Sequence, residues 1–202
     1  MSSEASRRPA APANRSSVSL LPRPPCTIHP SAIISDKAII SGTYPVTIGE
    51  NTVVHPYAKL STANAPVVIG AHCIIAERAS VGLGSRSGEG LDFVVTVEDG
   101  VSIETGASVA GKRVGESSVV EVNGEVGAGA VVGKFCKISA CCNVPAGESL
   151  PDFTVVFGFG QRRVDTTMKT REDVRELKQK GQLMHIDALK RLVPSNTAKW
   201  LS

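Results

Sequence analysis

Histidines and cysteines are the side chains of this sequence that could bind a metal or carry out catalysis. Their spacing does not indicate a metal site or a catalytic site. The histidines are His29, His55, His72 and His185, and the five cysteines occupy positions 26, 73, 136, 141 and 142. A zinc site needs about three ligands that converge on one point. The histidines are too far apart in the sequence to form a local ligand pair, and the cysteines form no C-x-x-C pair. The sequence therefore predicts no metal site and no cofactor.

His55 is the one candidate for a general base, the role in which a histidine polarises a hydroxyl or an amine during acyl transfer. Pro56 follows it and supplies no carboxylate to orient the ring. Cys141 and Cys142 could in principle act as nucleophiles. The repeat described below places Cys142 in the core and Cys141 outside, and no histidine or acid can be assigned to either thiol. No catalytic residue is predicted.

The composition indicates a narrow core of small branched side chains. Hydrophobic residues make up 42% of the 202 residues but aromatic residues only 4%, and the net charge is +3. So weak a positive charge, without clustered Lys and Arg, predicts neither nucleic-acid binding nor attachment to a membrane surface. No segment approaches the roughly 18 apolar residues of a membrane span, so membrane insertion is not expected. An odd number of scattered cysteines favours reduced thiols inside the cell.

The first 25 residues differ from the rest of the chain. They contain four Arg, five Pro and one acidic residue. Such a segment could be a mitochondrial presequence, but proline opposes the amphipathic helix that a presequence forms. A disordered tail over 1–25 is the favoured interpretation.

A period of six residues dominates the remainder of the chain. From Val114 to Val156 every sixth residue is aliphatic, and the same period recurs upstream in triplets that begin at Ile28, Ile48, Ile69 and Val97. The residue four places after each aliphatic is usually small, and a helix would instead need apolar spacings of three and four. Three six-residue sides make a triangular coil, and stacked coils pair by parallel ladders about 4.8 Å apart. The sequence therefore predicts a parallel β-helix whose interior is a column of Ile and Val.

Interruptions of the period predict where the coils depart from regularity. Short insertions are expected after Ile40 and Leu60, and a one-residue deletion before Val114. The largest break, 82–96, is predicted to be a loop that projects from a corner; its glycines lack the strand and helix that a nucleotide-binding loop requires. Glycine or another small residue often follows the aliphatic directly, as at Gly49, and is assigned to the bends.

The period ends near Val156, and helical signals follow. Thr170 and Asp173 resemble a capping box and Gly181 a helix stop, so two helices are predicted, at 170–180 and 182–193. Leu183, Ile186, Leu189 and Leu192 form an apolar stripe on the second helix. The stripe packs on a flat face of the β-helix or, alternatively, receives another chain. The predicted organisation is a tail at 1–25, a β-helix domain at 26–165 and a helical segment at 166–202.

Three segments carry a resemblance to a known family. They are IGENTVVHPYAKL (48–60), VVIGAHCIIAERASV (67–81) and ISACCNVPAGESLPDFTVVFGFGQRRV (138–164). Together they resemble the dynactin subunit 6 family, one of two β-helical families at the pointed end of the dynactin complex. The resemblance implies an all-β, left-handed parallel β-helix of hexapeptide repeats with a C-terminal α-helix. It also implies a non-catalytic subunit in the cytoplasm and cytoskeleton that supports dynein-driven cargo transport on microtubules.

The same resemblance implies partners: dynactin subunit 5, in a heterodimer, together with the pointed-end actin-related protein and other dynactin subunits. Partner contacts are expected at His55, Tyr57, Lys59, Arg86, Phe93, Arg162 and Arg163. The alternative is a hexapeptide-repeat enzyme, either an acyltransferase or a γ-class carbonic anhydrase. Where the anhydrases carry Arg-Gly-Asp and then Gln-Asp, this sequence has Ser41-Gly42-Thr43 and then His55-Pro56.

Overall fold

Three sheets of short parallel strands form the walls of the molecule. The computed structural model describes residues 23–83 and 93–200. With strands numbered in chain order, the first sheet contains β1 (Cys26–Ile28), β4 (Val46–Ile48), β7 (Val67–Ile69), β10 (Val95–Val97), β13 (Arg113–Val114), β16 (Val131–Val132) and β19 (Ser149–Leu150). The second contains β2 (Ile33–Ile34), β5 (Val53–Val54), β8 (Ile74–Ile75), β11 (Ser102–Ile103), β14 (Val119–Val120), β17 (Lys137–Ile138) and β20 (Thr154–Phe157), followed by the antiparallel β21 (Gln161–Val164). The third contains β3 (Ile39–Gly42), β6 (Lys59–Thr62), β9 (Ser80–Leu83), β12 (Ser108–Val109), β15 (Glu125–Val126) and β18 (Asn143–Val144).

The register of the ladders stacks aliphatic residues on one another. In the first sheet, for example, Ile28 pairs with Ile48 and Ile48 with Ile69. The first corner joins the first sheet to the second, the second corner joins the second to the third, and the third corner joins the third to the first. The predicted insertions after Ile40 and Leu60 and the deletion before Val114 are confirmed, and all three lie at the third corner. The insertions and the deletion therefore all lie along one edge of the solenoid, and the other two corners keep the six-residue period.

The periodic aliphatic residues form the core, as predicted. None is more than 7% exposed, and Val120, Val132 and Ile138 are completely buried. The small residues four places later are buried as well, including Cys73, Cys136 and Cys142. Burying one Val or Ile side chain stabilises a fold by roughly 1.5–3 kcal/mol, and the six-residue period repeats this gain on every side of every coil.

The corners use a left-handed backbone at a position that the sequence did not single out. The third residue after the aliphatic has positive φ, as in Asn51 (54°), Ser117 (56°) and Phe135 (53°). The predicted bend glycine Gly49 is not among the residues with positive φ. A Cβ at Gly49 would lie 2.5 Å from the carbonyl carbon of Gly70 in the next coil, so this glycine is required by the close approach of two coils.

The predicted loop at 82–96 falls largely outside the described residues. Its ends belong to strands, since β9 extends to Leu83 and β10 begins at Val95. The break in the period at this point is real, because the buried core residues Val81 and Val97 lie on successive sides of the solenoid, with Val97 paired with Ile69 of the preceding coil, and yet they are 16 residues apart.

Helices α1 (Thr166–Thr170) and α2 (Glu172–Leu192) follow β21. The predicted break at Gly181 is wrong, because α2 continues through it; glycine costs a helix about 1 kcal/mol, which packing against the sheet offsets. The predicted capping box is also wrong. Thr170 ends α1, whose N-terminus is instead capped by Asp165, a residue that accepts a hydrogen bond from the Met168 N–H at 3.0 Å.

Helix α2 packs on the second sheet, which confirms the internal contact for part of the predicted stripe. Ile186 and Leu189, joined by Val193, contact Val53 and Ile74. Leu183 and Leu192 do not join this cluster and are 43% and 74% exposed. The helix is rotated so that only the middle of the stripe faces the sheet.

The segment that follows α2 packs against the first coil. A 3-10 helix, Thr197–Trp200, follows α2, and the indole of Trp200 joins the main core cluster. The Asn196 N–H donates to the Ile34 carbonyl at 2.9 Å, and the Thr197 hydroxyl donates to the Ala32 carbonyl at 3.2 Å. Because strands wall the sides, Trp200 reaches the core at the end of the solenoid that the first coil forms.

Candidate functional site

Helix α2 is clamped to the first corner by long polar side chains. The Lys178 ammonium donates to the Ser117 carbonyl at 2.5 Å, the Gln182 amide donates to the His72 carbonyl at 2.9 Å, and the Lys190 ammonium donates to Asn51 Oδ1 at 2.7 Å. Burial lowers the pKa of the Lys178 amine. An α-helix rises about 1.5 Å per residue and coils are about 4.8 Å apart, so successive coils meet α2 about every three residues.

Aromatic rings extend this clamp over the last coils. Phe135 and Phe153 occupy the same left-handed corner position in successive coils, and their rings stack at 5.7 Å. The Arg175 guanidinium lies 6.0 Å from the centroid of each ring and donates to the carbonyls of Met168 and Lys169. Arg175 therefore ties the end of α1 to the corner of the solenoid.

A ladder of opposite charges lies along the same corner on the side of the first sheet. Arg113 donates to Glu98 at 2.6 Å and Lys134 to Glu116 at 3.1 Å. The hydrogen bond from Arg113 holds the pKa of the Glu98 carboxyl below its ordinary value. Between this ladder and α2 lies a cleft of about 220 Å³, lined in part by Asp99, Glu116 and Lys178. Its charged groups are already paired with one another or with backbone, which is typical of a structural seam.

The predicted contact residues His55, Tyr57 and Lys59 lie together at the second corner and on the third sheet of the second coil. Tyr57 is 46% exposed and the Lys37 ammonium lies 5.7 Å from its ring centroid. Tyr57 also adopts a left-handed φ of 61°. This corner turns its aromatic ring outward, and the exposed Lys59 lies beside it.

The other predicted contact residues lie elsewhere. Arg162 and Arg163 are exposed on β21, and Arg162 pairs with Glu148 at 2.7 Å. Phe93 is half-buried and packs against the core near the third corner. Arg86 lies outside the described residues. The structure thus brings together His55, Tyr57 and Lys59 but separates them from the β21 pair.

The histidines lie in two regions, with His29 and His72 at the first corner, in the first and third coils, and His55 at the second corner, near His185 of α2. His29 contacts the Ser31 hydroxyl at 2.8 Å and His72 contacts the Asn51 amide at 3.3 Å, both at the first corner. His55 lies at the second. Within 23–83 and 93–200, no three side chains among His, Cys, Asp and Glu are grouped to hold a metal.

His55 is poorly placed for general-base catalysis through its Nε2 atom. That atom is buried and has no hydrogen-bond partner among the described residues. Burial, and secondly the neighbouring His185, lower the pKa of the imidazole. A general base must touch the proton that it removes, so the shielded Nε2 cannot serve without a rearrangement.

The thiols follow the prediction for the double cysteine. Cys142 is 4% exposed in the core, whereas Cys141 is exposed at the second corner. Burial raises the pKa of Cys73 to about 12, which removes it as a nucleophile near neutral pH.

The clamp and the Trp200 cap were not predicted from the sequence. A stripe drawn only from apolar residues omits Lys178, Gln182 and Lys190, although they share the buried side of α2 with Ile186. Including long polar side chains would have found the clamp. Trp200 follows Pro194 outside any period, so no sequence signal indicated its position.

Comparisons with known proteins agree with the fold and with the resemblance. No family model matches the chain. It is 29% identical over 174 residues to dynactin subunit 6 of Xenopus tropicalis, covering 83% of this chain and 81% of that protein. It is 28% identical over 176 residues to dynactin subunit 6 of Danio rerio, covering 83% and 84%. A solved hexapeptide transferase family protein from Anaplasma phagocytophilum covers 84% of this chain and 96% of its own, with a TM-score of 0.57 and 18% identity.

The solved structure supports the architecture alone, because its identity to this chain is low. Each of the two sequence relatives matches 83% of this chain. None of the described helices combines the length and apolar composition needed to cross a bilayer. The chain is a left-handed parallel β-helix of hexapeptide repeats with a C-terminal α-helix, and it resembles dynactin subunit 6 along most of its length.

Proposed function

We propose that this chain is a non-catalytic structural subunit of a dynactin complex. The observation that carries the proposal is its similarity to dynactin subunit 6 of two vertebrates over more than four fifths of their length. We place the chain at the pointed end, in a heterodimer with dynactin subunit 5 and next to the actin-related protein. There it supports dynein-driven transport of cargo along microtubules, in the cytoplasm and on the cytoskeleton.

The physical properties of the described residues favour a structural role over catalysis. His55 Nε2 is shielded, the buried thiol of Cys73 has a raised pKa, and the charged groups near α2 are paired. An enzyme would instead need a reactive group that is open to substrate and oriented by a second polar group. The hexapeptide transferase likeness supports the fold only, and the enzyme alternative has no specific observation in its favour.

We assign the partner contacts to two surfaces. The first is the second-corner patch, which consists of His55, Tyr57 and Lys59. An exposed aromatic beside a cation is typical of residues that contribute strongly to protein interfaces. The second is the β21 surface, with Arg162 and Arg163, at the C-terminal end of the solenoid, where a terminal coil offers unpaired backbone groups to a neighbour. Phe93 would extend the contacts along the third corner, and Arg86, which lies outside the described residues, would contribute a further contact.

Co-purification with dynactin subunit 5 tests the heterodimer and the first surface together. The two chains are co-expressed, the present chain is captured by a tag, and the complex is sized by light scattering. We expect a complex of one copy of each chain. The double variant Tyr57→Asn with Lys59→Glu should lower the recovery of subunit 5 at least tenfold, since Asn tolerates the left-handed corner and the change removes an interface aromatic.

The matched control is Val122→Ser, which removes an apolar side chain of similar exposure from the second corner, three coils away from the patch. It should leave recovery unchanged. If both variants bind subunit 5 like the original chain, the patch is wrong, and if the unaltered chain binds none, the heterodimer is wrong. Zinc bound at one ion per chain, together with acetyl transfer or CO₂ hydration by the purified protein, would overturn the non-catalytic role.

A further inference from the structure

The outward side of α2 carries a continuous apolar stripe. Leu177, Met184 and Leu192 are 70%, 74% and 74% exposed, and they point away from the second sheet. Gly181 and Ala188 lie between them, also exposed. Spacings of four, three, four and four residues keep all five side chains within about 80° of one another around the helix. A large apolar area on one helix face indicates a contact surface.

Charged residues flank this stripe on one side only, the side nearer the first corner. In chain order they are Asp173, Glu176, Lys180, Asp187 and Arg191. Asp173 pairs with Arg171 at the start of the helix, and the other four alternate from negative to positive twice. Glu176 and Lys180 are 60% and 73% exposed and contact each other only at 4.0 Å. Asp187 is 71% exposed and lies 3.5 Å from Lys190. Because these contacts are long and solvent-exposed, exchanging them for contacts with a partner would cost little free energy.

The order of these charges along α2 is complementary to the same order read backwards, so two antiparallel copies of the helix would place opposite charges next to each other. If a second α2 runs antiparallel with Met184 opposite its own copy, Glu176 lies within one residue, about 1.5 Å along the axis, of the level of Arg191 of that copy, and Lys180 lies equally near the level of Asp187. The same register brings Leu177 to within one residue of the level of Leu192. It also brings Gly181 equally near the level of Ala188, where two small side chains let the backbones approach closely. One register thus satisfies the apolar, the small and the charged positions.

We propose that α2 is the interface at which a second copy of this chain binds, with the two helices antiparallel about a two-fold axis at Met184. The interface is isologous, so each surface is its own partner. This dimer goes beyond the proposed place in dynactin and uses neither the second-corner patch nor the β21 surface.

The charged flank selects the antiparallel arrangement over the parallel one. A two-fold axis normal to the plane of two antiparallel helices keeps the same flank of each helix on the same side, so charged flank meets charged flank. A two-fold axis along the helices would bring the charged flank of one against the opposite flank of the other, which carries His185 and Val174. The four complementary pairs of a dimer then could not form.

Among the residues 23–83 and 93–200, none covers the apolar stripe of α2, which is therefore accessible to a second copy. Ile186 and Leu189 face the second sheet on the opposite side of α2, so the two solenoids lie outside the helix pair. A Cβ at Gly181 would meet no atom of the described residues within 4 Å. Contacts within the chain therefore do not require a glycine here, which is consistent with a contact to a second copy. One helix per chain buries less than the roughly 1,200 Å² of a standard interface, so we expect a reversible dimer with a dissociation constant on the order of ten micromolar.

Sedimentation of the full-length chain alone tests this dimer. Between about 5 and about 200 µM, a range that brackets the expected constant, the mass should rise from one chain toward two. Met184→Lys places two ammonium groups face to face at the axis and should leave a monomer throughout. Leu183→Lys, an apolar-to-lysine change on the adjacent residue but outside the stripe, should dimerise normally.

Charge reversal tests the register. Lys180→Asp faces Asp187 of the copy and should weaken the dimer about fivefold to tenfold, because two surface pairs become repulsive. The double variant Lys180→Asp with Asp187→Lys restores opposite charges and should recover the original constant. A heterologous partner would not produce this recovery.

Disulfide trapping tests the direction of the helices, with Cys141→Ser as the background to remove the exposed thiol. A mixture of chains carrying Leu177→Cys and Leu192→Cys should cross-link under mild oxidation, whereas neither variant alone should. Cross-linking of Leu177→Cys with itself would demonstrate a parallel pair and overturn the proposal. A chain that stays monomeric at every concentration, or a dimer that Met184→Lys leaves intact, would overturn it as well.

Discussion

Individual thiols of this chain differ in reactivity because the repeat alternates inward and outward positions. Cys73, Cys136 and Cys142 occupy the small inward position, and burial raises the pKa of the first two. Cys26 is half-buried, and its pKa is raised for the same reason. Only Cys141 is exposed.

Native thiol titration with a chromogenic disulfide should therefore show one fast-reacting group. Thiolate is the reactive form, and the reagent must also reach it. We expect Cys141→Ser to remove the fast phase, whereas Cys142→Ser should leave it unchanged. The remaining thiols should react only on addition of denaturant. A fast phase that survives Cys141→Ser would show that an inward thiol is open to solvent.

His55 should make the stability of the fold depend on pH. Burial and the neighbouring His185 lower the pKa of the folded imidazole, whereas the unfolded chain keeps a value near 6.5. Below that value the unfolded chain binds more protons than the folded chain, so the free energy of unfolding falls as the pH drops from about 7 toward 5.

Thermal melts at both pH values measure this effect. In His55→Gln the fall in melting temperature on acidification should be smaller than in the original chain. His29→Gln, a change at an exposed histidine of the first corner, should retain the full effect. Equal slopes for the original chain and His55→Gln would show that another group is responsible.

At the scale of single elements, the strands were predictable and the helix was predictable only in part. The six-residue period located the inward positions because burial in a narrow tube excludes polar and large side chains there. The continuity of α2 through Gly181 was not predictable, since glycine weakens a helix without ending it and contact with the second sheet decides the outcome. The polar clamp depends on corner carbonyls that no local pattern reveals.

Gly181→Ala should stabilise α2 in the isolated chain. The helix is continuous at this point, the residue lacks a left-handed φ, and an added Cβ meets no atom within 4 Å. Alanine should therefore gain up to about 1 kcal/mol, which raises the melting temperature of a chain of this size by about 2–4 °C. The measurement is a melt at low protein concentration, where the proposed dimer is dissociated. A lower melting temperature would show that the helix is broken or strained at Gly181.

Gly49→Ala provides the opposite case. A Cβ there would lie 2.5 Å from the Gly70 carbonyl carbon, so two coils would have to separate. This substitution should destabilise the fold, and together the two variants distinguish a tolerated glycine from a required one.

At the scale of the whole molecule, a solenoid must protect its ends as well as its sides. Trp200 covers the end formed by the first coil and is 8% exposed, although it lies more than 160 residues away from that coil in the sequence. The sequence could not reveal this contact, because a single aromatic after Pro194 belongs to no period.

Trp200→Ala should lower the free energy of unfolding by about 3 kcal/mol, the usual cost of truncating a large buried aromatic. Trp200→Phe should cost less, since it keeps a ring and removes an indole N–H that has no partner among the described residues. Urea unfolding followed by far-ultraviolet circular dichroism measures both. Equal stability of the original chain and Trp200→Ala would mean that the end of the solenoid does not need this cap.

The fold class and the core followed from the sequence, because each depends on a repeated position. The proximity of His55 to His185 did not, because it depends on how α2 packs on the second sheet. The candidate contact residues followed only from a resemblance, since a surface that binds another protein has no periodic signature.

The most direct measurement is affinity purification of the tagged full-length chain from cells of its own organism, with identification of the recovered proteins by mass spectrometry. The account predicts recovery of dynactin subunit 5, the pointed-end actin-related protein and other dynactin chains, each well above the amount captured by an untagged strain. Recovery of the chain only with copies of itself, with no dynactin chain enriched, would contradict it.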